Sequence, residues 1–360
     1  RDCRLFVVVF VVVVFFNDTA TTEIYTHSLH DALLISRKQA TMKLLINEEI
    51  HSQYIEELRS LSTDLSVVFI PNDHDNRDPF LKEITDADAL YGWIDTESLQ
   101  VAKSLKWIQA PLAGLENYCF RELIDSPITV SNMRGIYSDH LADHACGFLL
   151  ALARDLPKLM QHQAECCWAP HDNLQMLHLG DLTLGIIGLG GIGYEVARRG
   201  AVCGMKILAI DPRRTDKPEE VDQLWPTSEL DTLLAESDFV VICAPQTPET
   251  TGMIGLSQLE TMKSSAYLIN VGRGVIVQLE ALVDALNNQR IAGAALDVYE
   301  TEPLPENHPL WKCPNVILTP HVAGVDPHTL ARRFKLLKSN VQRFLNGEQP
   351  DNVVDKTQWF

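Results

Sequence analysis

The sequence predicts an α/β fold made of two doubly wound parallel-sheet domains. From Met42 onward, short apolar runs alternate with amphipathic segments, which is typical of strand–helix–strand units around a parallel sheet. A polar loop, "AECCWAPHDNLQMLHLGD", interrupts the alternation, which then restarts. In the restarted part a glycine-rich turn directly follows a strand and opens a helix. This arrangement favours a doubly wound second domain.

The first half of the chain contains the shorter set of predicted elements. "MKLLINEE" is interpreted as a strand, "SQYIEELRSL" as a helix and "LSVVFI" as a second strand. "ADALYGWI" and "LKWIQAP" give further short apolar runs. A long apolar helix is predicted over about 138–156, as a bridge between domains or a dimer surface.

The second half is predicted to contain six strands and a final helix. The strands are expected at 183–187, 206–210, 239–243, 266–270, 294–298 and 316–318. An amphipathic helix ending near Gly347 would return the chain to the first domain.

Composition limits the classes of partner. The chain has 360 residues, enough for two cores, and its net charge of −18 argues against nucleic acid or anionic membrane as a partner. The sequence contains no run of 18 apolar residues, so no membrane-spanning helix is predicted. The eight cysteines lack C-x-x-C spacing, which favours reduced thiols in the cytoplasm.

Residues 1–41 are interpreted separately from the fold. "RDCRLFVVVFVVVVFF" has the character of a signal segment, but no convincing cleavage site follows it. "NDTATTEIYTHSLHDALLIS" resembles the in-frame translation of a DNA sequencing adapter. We therefore expect a non-native leader and a native start at Met42.

A dinucleotide site is predicted in "LTLGIIGLGGIGYEVARRG". Gly188, Gly190 and Gly193 follow a strand in G-x-G-x-x-G order, and the helix N-terminus favours phosphate. Asp211 ends the next strand, where an acid would meet the ribose hydroxyls of NAD. NADP stays open, because Arg213 and Arg214 are suited to binding a 2′-phosphate.

Polar residues also follow three later strands. Arg273 lies in "NVGRG", Asp297 and Glu302 lie in "DVYETEP", and His321 lies in "TPHVAG". Because ligands bind at the carboxyl ends of parallel strands, we expect these residues to converge on the cofactor.

The four motifs, in this order and spacing, resemble the D-isomer-specific 2-hydroxyacid dehydrogenase family, glyoxylate/hydroxypyruvate reductases and phosphoglycerate dehydrogenases included. The resemblance covers nearly all of residues 42–360. It implies a Rossmann NAD-binding domain (140–324) inserted into a flavodoxin-like substrate-binding domain (42–139 and 325–360). It also implies a homodimer.

The resemblance further implies an NAD(P)-dependent oxidoreductase that interconverts a D-2-hydroxy acid and its 2-oxo acid. His321 would be the general acid–base group, and Glu302 would fix its tautomer. Arg273 would bind and polarise the substrate, and Asp297 would orient the nicotinamide.

Two larger sets of contacts are expected. The predicted cofactor contacts are Gly188, Gly190, Gly191, Ile192, Gly193, Asp211, Ala244, Pro245, Val271, Gly272, Arg273, Asp297, His321 and Gly324. The predicted substrate contacts are Trp93, Ala113, Gly114 and Arg273.

Other interpretations stay open at this point. A nicotinamide-sensing binding protein, like the corepressors of this fold, can keep the same Arg, Glu and His, although those proteins carry long extra tails. The chain closes at Phe360, so we expect no C-terminal regulatory domain, which favours a short dehydrogenase or reductase. His140 and His144 lie four apart on a helix, but without a third ligand we predict no metal site.

Overall fold

A computed structural model describes residues 42–73, 75–168 and 174–358. The proposed leader therefore lies outside the described residues. Two parallel sheets form the fold, in agreement with the predicted class. Among the described residues, no helix combines the length and the apolar character needed to cross a bilayer.

The first sheet has five parallel strands in the order β2-β1-β3-β4-β5, the flavodoxin-like order. Its strands are β1 (Met42–Ile46), β2 (Leu65–Phe69), β3 (Ala89–Tyr91), β4 (Trp107–Gln109) and β5 (Thr129–Ser131). The helices of this part are α1 (Ser52–Arg59), α2 (Asp78–Ile84), α3 (Thr96–Val101) and α4 (Arg121–Ile124). We call residues 42–131 together with the final helix α11 (Thr329–Leu345) the first lobe.

The second sheet has seven parallel strands in the order β12-β11-β10-β9-β6-β7-β8. Its strands are β6 (Thr183–Ile187), β7 (Lys206–Ile210), β8 (Gln223–Trp225), β9 (Phe239–Ile242), β10 (Tyr267–Asn270), β11 (Gly293–Leu296) and β12 (Val316–Leu318). Its helices are α5 (Ser138–Ala153), α6 (Leu156–Ala164), α7 (Gly191–Val202), α8 (Leu230–Glu236), α9 (Leu256–Thr261) and α10 (Leu279–Asn287). We call residues 138–318 the second lobe.

The second lobe differs from the prediction in two places. All six predicted strands are present, with ends that match or lie within about two residues, but β8 is an additional edge strand. The helix predicted over 138–156 is two helices, because Asp155 adopts a left-handed conformation (φ 50°) and Pro157 follows it. Proline has no N–H to bond the Ala153 carbonyl and is tolerated only in the first turn of a helix, so the break has a local cause.

Apolar side chains cover both faces of each sheet, as parallel sheets require. In the first lobe, Phe334, Leu337 and Val341 of α11 pack against Leu44 and Trp107 of the sheet. In the second lobe, α5 contributes buried side chains to the cluster that contains Ile186 and Val241. The final helix thus returns to the first lobe. The exact domain boundaries stay a prediction.

Candidate active site

The sequence-predicted site residues lie at or just beyond the carboxyl ends of parallel strands. Residues 188–193 follow β6, Asp211 follows β7, Ala244 and Pro245 follow β9, Val271, Gly272 and Arg273 follow β10, Asp297 and Glu302 follow β11, and His321 and Gly324 follow β12. In the first lobe, Trp93 follows β3, and Ala113 and Gly114 follow β4. Ligands of doubly wound proteins bind at this edge.

The glycine turn between β6 and α7 leaves no room for side chains at two positions. Gly188 has φ +91°, and a Cβ there would lie 2.9 Å from the Ala244 backbone. A Cβ at Gly193 would lie 2.0 Å from the carbonyl oxygen of Gly188. Gly190 faces open space and no side chain caps α7, so the first N–H groups of the helix suit an anion such as a pyrophosphate.

Asp211 joins the end of β7 to the glycine turn. Its Oδ2 accepts a hydrogen bond from the Leu189 N–H (2.9 Å), and its Oδ1 accepts from the backbone of Arg213 (2.9 Å) and Arg214 (2.8 Å). The Arg214 side chain donates to the Leu189 carbonyl (3.2 Å) and pairs with Asp216 (3.1 Å). The acid therefore shapes the turn, and the Arg214 guanidinium already has partners.

The turn after β10 is shaped by a buried amide. Asn270 accepts a hydrogen bond from the Gly272 N–H (3.0 Å) and donates to the Arg273 carbonyl (3.0 Å). A Cβ at Gly272 would lie 2.7 Å from the Ala244 carbonyl oxygen, so only glycine lets these two turns approach. Asn270 thereby fixes the backbone that carries Arg273.

Arg273 contacts both lobes. Its Nε donates to Glu116 Oε1 across 2.6 Å, and its Nη1 donates to the Gly272 carbonyl across 2.9 Å. Nη2 lies beside Gly114, where a Cβ would be 1.9 Å away. The structure thus brings Arg273 together with Gly114, another of the predicted substrate contacts. Sequence reasoning missed Glu116, although this carboxylate lies only two residues beyond Gly114.

Glu302 and His321 form a hydrogen-bonded pair. His321 Nδ1 lies 2.7 Å from Glu302 Oε2, and Glu302 Oε1 accepts a hydrogen bond from the Tyr299 N–H (2.9 Å). The Tyr299 hydroxyl lies within hydrogen-bond distance of the Thr319 (2.9 Å) and Leu296 (3.1 Å) carbonyl oxygens, which joins the ends of β11 and β12. Burial raises the pKa of Tyr299 to about 12, so its hydroxyl stays a donor. Tyr299 therefore holds Glu302 and connects the two strand ends that carry Glu302 and His321.

Asp297 supports the loop that carries His321. Its buried carboxylate accepts hydrogen bonds from the Thr319 hydroxyl (2.5 Å), the Val322 N–H (2.9 Å) and the Ala323 N–H (2.9 Å). Its carbonyl accepts from the His321 N–H (2.8 Å), and His321 itself is left-handed (φ 54°). Sequence reasoning missed this supporting role. The contact of Asp297 with nicotinamide stays a prediction.

Trp93 belongs to a polar network of the first lobe. Its indole N–H donates to Glu48 Oε2 (2.8 Å), and its ring stacks on Tyr118. Glu48 pairs with Arg333 of α11 (3.4 Å), which donates to the Tyr137 hydroxyl (2.6 Å). The Ala113 carbonyl, in the neighbouring loop, accepts from Asn132 (2.7 Å). Glu48 and Arg333 were not predicted.

The two helical histidines have separate partners. His140 Nδ1 lies 2.9 Å from Asp139, and His144 Nε2 lies 3.1 Å from the Thr319 hydroxyl. Within residues 42–73, 75–168 and 174–358, no group of three or more His, Cys, Asp or Glu side chains is arranged to hold a metal ion.

Comparisons with known proteins decide the family. Residues 146–323 match the family model described as D-isomer specific 2-hydroxyacid dehydrogenase, NAD binding domain. A glyoxylate reductase of Thermofilum pendens is 38% identical over 289 residues, which cover 78% of this chain and 85% of the relative. The chain belongs to the D-isomer specific 2-hydroxyacid dehydrogenase family. It is therefore an NAD(P)-dependent oxidoreductase, as the motifs implied.

Three further members of this family are similar to the chain over most of its length. A D-3-phosphoglycerate dehydrogenase of Archaeoglobus fulgidus is 34% identical over 319 residues, which cover 87% of this chain but 59% of the relative. A solved family structure from Aeromonas salmonicida has a TM-score of 0.74 at 30% identity, covering 88% of this chain and all of that one. A family structure from Xanthobacter autotrophicus, in complex with NADPH and MES, has a TM-score of 0.77 at 27% identity and covers 89% of this chain and all of that one.

Proposed function

We propose that this dehydrogenase interconverts a D-2-hydroxy acid and its 2-oxo acid, with His321 as the general acid–base group. The observation that carries the proposal is the 2.7 Å contact between His321 Nδ1 and Glu302 Oε2. A carboxylate on one ring nitrogen fixes the tautomer and leaves Nε2 to exchange a proton with the substrate.

The chain's own residues divide the work of 2-oxo acid reduction. Arg273 binds the substrate carboxylate and polarises the reacting carbonyl oxygen through its guanidinium N–H groups. His321 Nε2 donates a proton to that oxygen as the alcohol forms, and it accepts the proton back in the oxidation direction. Glu302 stabilises the charged imidazole. Bound nicotinamide cofactor supplies or accepts the hydride.

The glycine turn and the neighbouring strand ends fit a dinucleotide. We assign the pyrophosphate to the start of α7, with Gly191 and Ile192 among its N–H donors, and the ribose hydroxyls to Asp211. Ala244, Pro245, Val271, Gly272, Asp297 and Gly324 would line the rest of the site. NAD is preferred over NADP, because the Asp211 carboxylate would repel a 2′-phosphate and Arg214 is engaged by Leu189 and Asp216.

The substrate is assigned to the cleft between the lobes. Gly114 and Ala113 would offer backbone groups to the substrate carboxylate beside Arg273, and Trp93 would limit the size of its side chain. Several relatives are named glyoxylate reductase. We therefore propose a small 2-oxo acid, with glyoxylate and hydroxypyruvate as the first compounds to test.

We propose a homodimer located in the cytoplasm. Large apolar side chains are exposed on or next to α5, α6 and α7, and they include Leu150, Leu156, Met160, Trp168, Met176 and Val202. Helix α5 packs against α6 and α7, so these side chains lie on or next to neighbouring helices, and clustered exposed apolar side chains are typical of a protein–protein interface. Exposed free thiols at Cys119, Cys166, Cys167 and Cys203 suit a reducing compartment. Light scattering of the purified protein would measure the mass.

A panel of 2-oxo acids tests the proposed reaction. Protein lacking residues 1–41 is mixed with NADH or NADPH and each acid, and loss of the reduced nicotinamide absorbance is followed. We expect turnover with at least one small acid and a higher kcat/KM with NADH. Tight NADH binding without turnover of any acid would instead favour a nicotinamide-sensing binding protein on the same fold.

A further inference from the structure

We propose that Glu116, in the first lobe, is a positioning residue for Arg273, in the second lobe. The inference rests on the proposed function, since Arg273 is there the group that binds substrate. Glu116 and Arg273 lie far apart in sequence and meet only through the fold, by a 2.6 Å hydrogen bond between Oε1 and Nε.

The contacts of the guanidinium leave one nitrogen for a ligand. Nε is held by Glu116 and one N–H of Nη1 is held by the Gly272 carbonyl, so the plane of the group is fixed from both lobes. Nη2 points to the Gly114 loop, where an added Cβ would lie 1.9 Å from Nη2 and 2.6 Å from Glu116 Oε2. Arginine presents its five donors in a rigid fork, so fixing Nε also aims Nη2.

Glu116 is itself held by a rigid turn. It begins the short 3₁₀ helix Glu116–Tyr118, whose flanking Leu115 and closing Tyr118 are buried. The Tyr118 hydroxyl donates to the Gly92 carbonyl across 2.6 Å, which links the loop after β4 to the loop after β3. The carboxylate is therefore placed by the core of the first lobe, and Glu116 in turn places Arg273.

Stability does not account for this ion pair. Its side chains remain 30% (Arg273) and 38% (Glu116) exposed, and pairs at such exposure contribute little to folding. Placing a carboxylate beside the proposed anion-binding group also weakens the attraction between that group and substrate. The benefit that remains is orientation, because a misplacement of about 1 Å can cost roughly 100-fold in rate.

Substitutions at Glu116 separate orientation from charge. Glu116→Ala removes the acceptor, and we expect kcat/KM for the active 2-oxo acid to fall about 10- to 100-fold. Glu116→Gln keeps an oxygen that accepts from Nε, so it should restore most of the loss. Glu122→Ala removes an exposed carboxylate from α4 and should match the wild type. NADH affinity, measured by fluorescence titration, should be the same in all four proteins.

A double-mutant cycle with Arg273→Ala tests whether Glu116 acts through Arg273. In that background we expect Glu116→Ala to change kcat/KM by no more than about twofold. An equal loss in both backgrounds overturns the proposal, as does a Glu116→Ala enzyme with wild-type kcat/KM or a Glu116→Gln enzyme as impaired as Glu116→Ala. A wild type that turns over no acid of the panel overturns the proposed function as well, whereas an active wild type keeps the two failures distinct.

Discussion

The proposed acid–base pair consists of two side chains whose positions depend on backbone contacts. Glu302 is held by the Tyr299 N–H, and His321 occupies a left-handed position whose N–H bonds the Asp297 carbonyl. The αL conformation is uncommon outside glycine, and it persists where the surroundings over-determine it. Here Asp297 does so by holding the N–H groups of Val322 and Ala323. These contacts hold the backbone of His321 in the left-handed conformation.

Removal of the imidazole tests the proposed acid–base role of His321. We expect His321→Ala to lower kcat by roughly 100-fold or more, because a general base or acid contributes about that factor. NADH binding should be unchanged, since the expected loss lies in the chemical step. Steady-state kinetics with the active 2-oxo acid measures the effect. His308→Ala is the matched control, because His308 accepts from the Leu310 N–H in the connecting loop. Near-normal turnover of the His321→Ala enzyme would remove His321 from the mechanism.

Among the elements, the short helix α3 depends strongly on the residue that caps its N-terminus. Asp95 and Ser98 form a capping box in which Asp95 Oδ1 accepts from the Ser98 N–H (2.9 Å) and Ser98 Oγ accepts from the Asp95 N–H (3.0 Å). Burial opposes ionisation of Asp95, but hydrogen bonds from Arg77 and Ser98 outweigh it and lower the pKa to about 2. The cap also ends the loop that carries Trp93.

Loss of this cap should be visible as a change in stability that depends on pH. Asp95→Ala is expected to lower the free energy of unfolding by about 1 kcal/mol at neutral pH. A carboxylate with a depressed pKa stabilises the fold above its ordinary value of about 4, and that contribution is lost as the pH falls towards 2. Urea unfolding of both proteins at several pH values measures the difference. A difference that does not shrink below about pH 4 would contradict the assignment.

At the scale of the whole molecule, one buried amide links the final helix to the first sheet. Asn340 of α11 donates to Gln109 Oε1 (2.8 Å) and to the Asp351 carbonyl (3.1 Å), and it accepts from the Asp351 N–H (2.7 Å). Gln109 in turn accepts from the Ser131 hydroxyl (2.8 Å). Asn340 and Gln109 are fully buried, so their amides depend on these protein partners for hydrogen bonds.

Asn340→Ala therefore tests the return of the chain to the first lobe. We expect it to lower the free energy of unfolding by about 2 kcal/mol or more, since it removes three hydrogen bonds made by a buried amide and leaves a cavity in its place. Thermal and urea unfolding measure the change. Asn346→Ala alters an exposed amide at the end of the same helix and should change stability by no more than about 0.5 kcal/mol. Equal effects of both substitutions would show that the buried network contributes nothing specific.

Several features of the fold and site were predictable because their causes are local. Turns that only glycine tolerates mark the cofactor loop, and Arg273, Glu302 and His321 each follow a strand whose apolar run is legible in the chain. Strand β8 was missed for the opposite reason, because "QLW" is a short, partly exposed edge strand with no apolar run. The break at Asp155 had a local signal in Pro157 that the long apolar pattern obscured.

The sequence by itself determined the order of the motifs, the alternation of strands and helices, and the types of reactive side chain. Only the tertiary structure decided which distant groups meet: Glu116 with Arg273, Asp297 with the loop of His321, and Asn340 with Gln109. Hydrophobic periodicity and helix or strand propensity depend on a few neighbouring residues. These contacts instead join distant segments that the sheets bring together. The geometry of these contacts depends on strand order and register, which no short stretch of the sequence encodes.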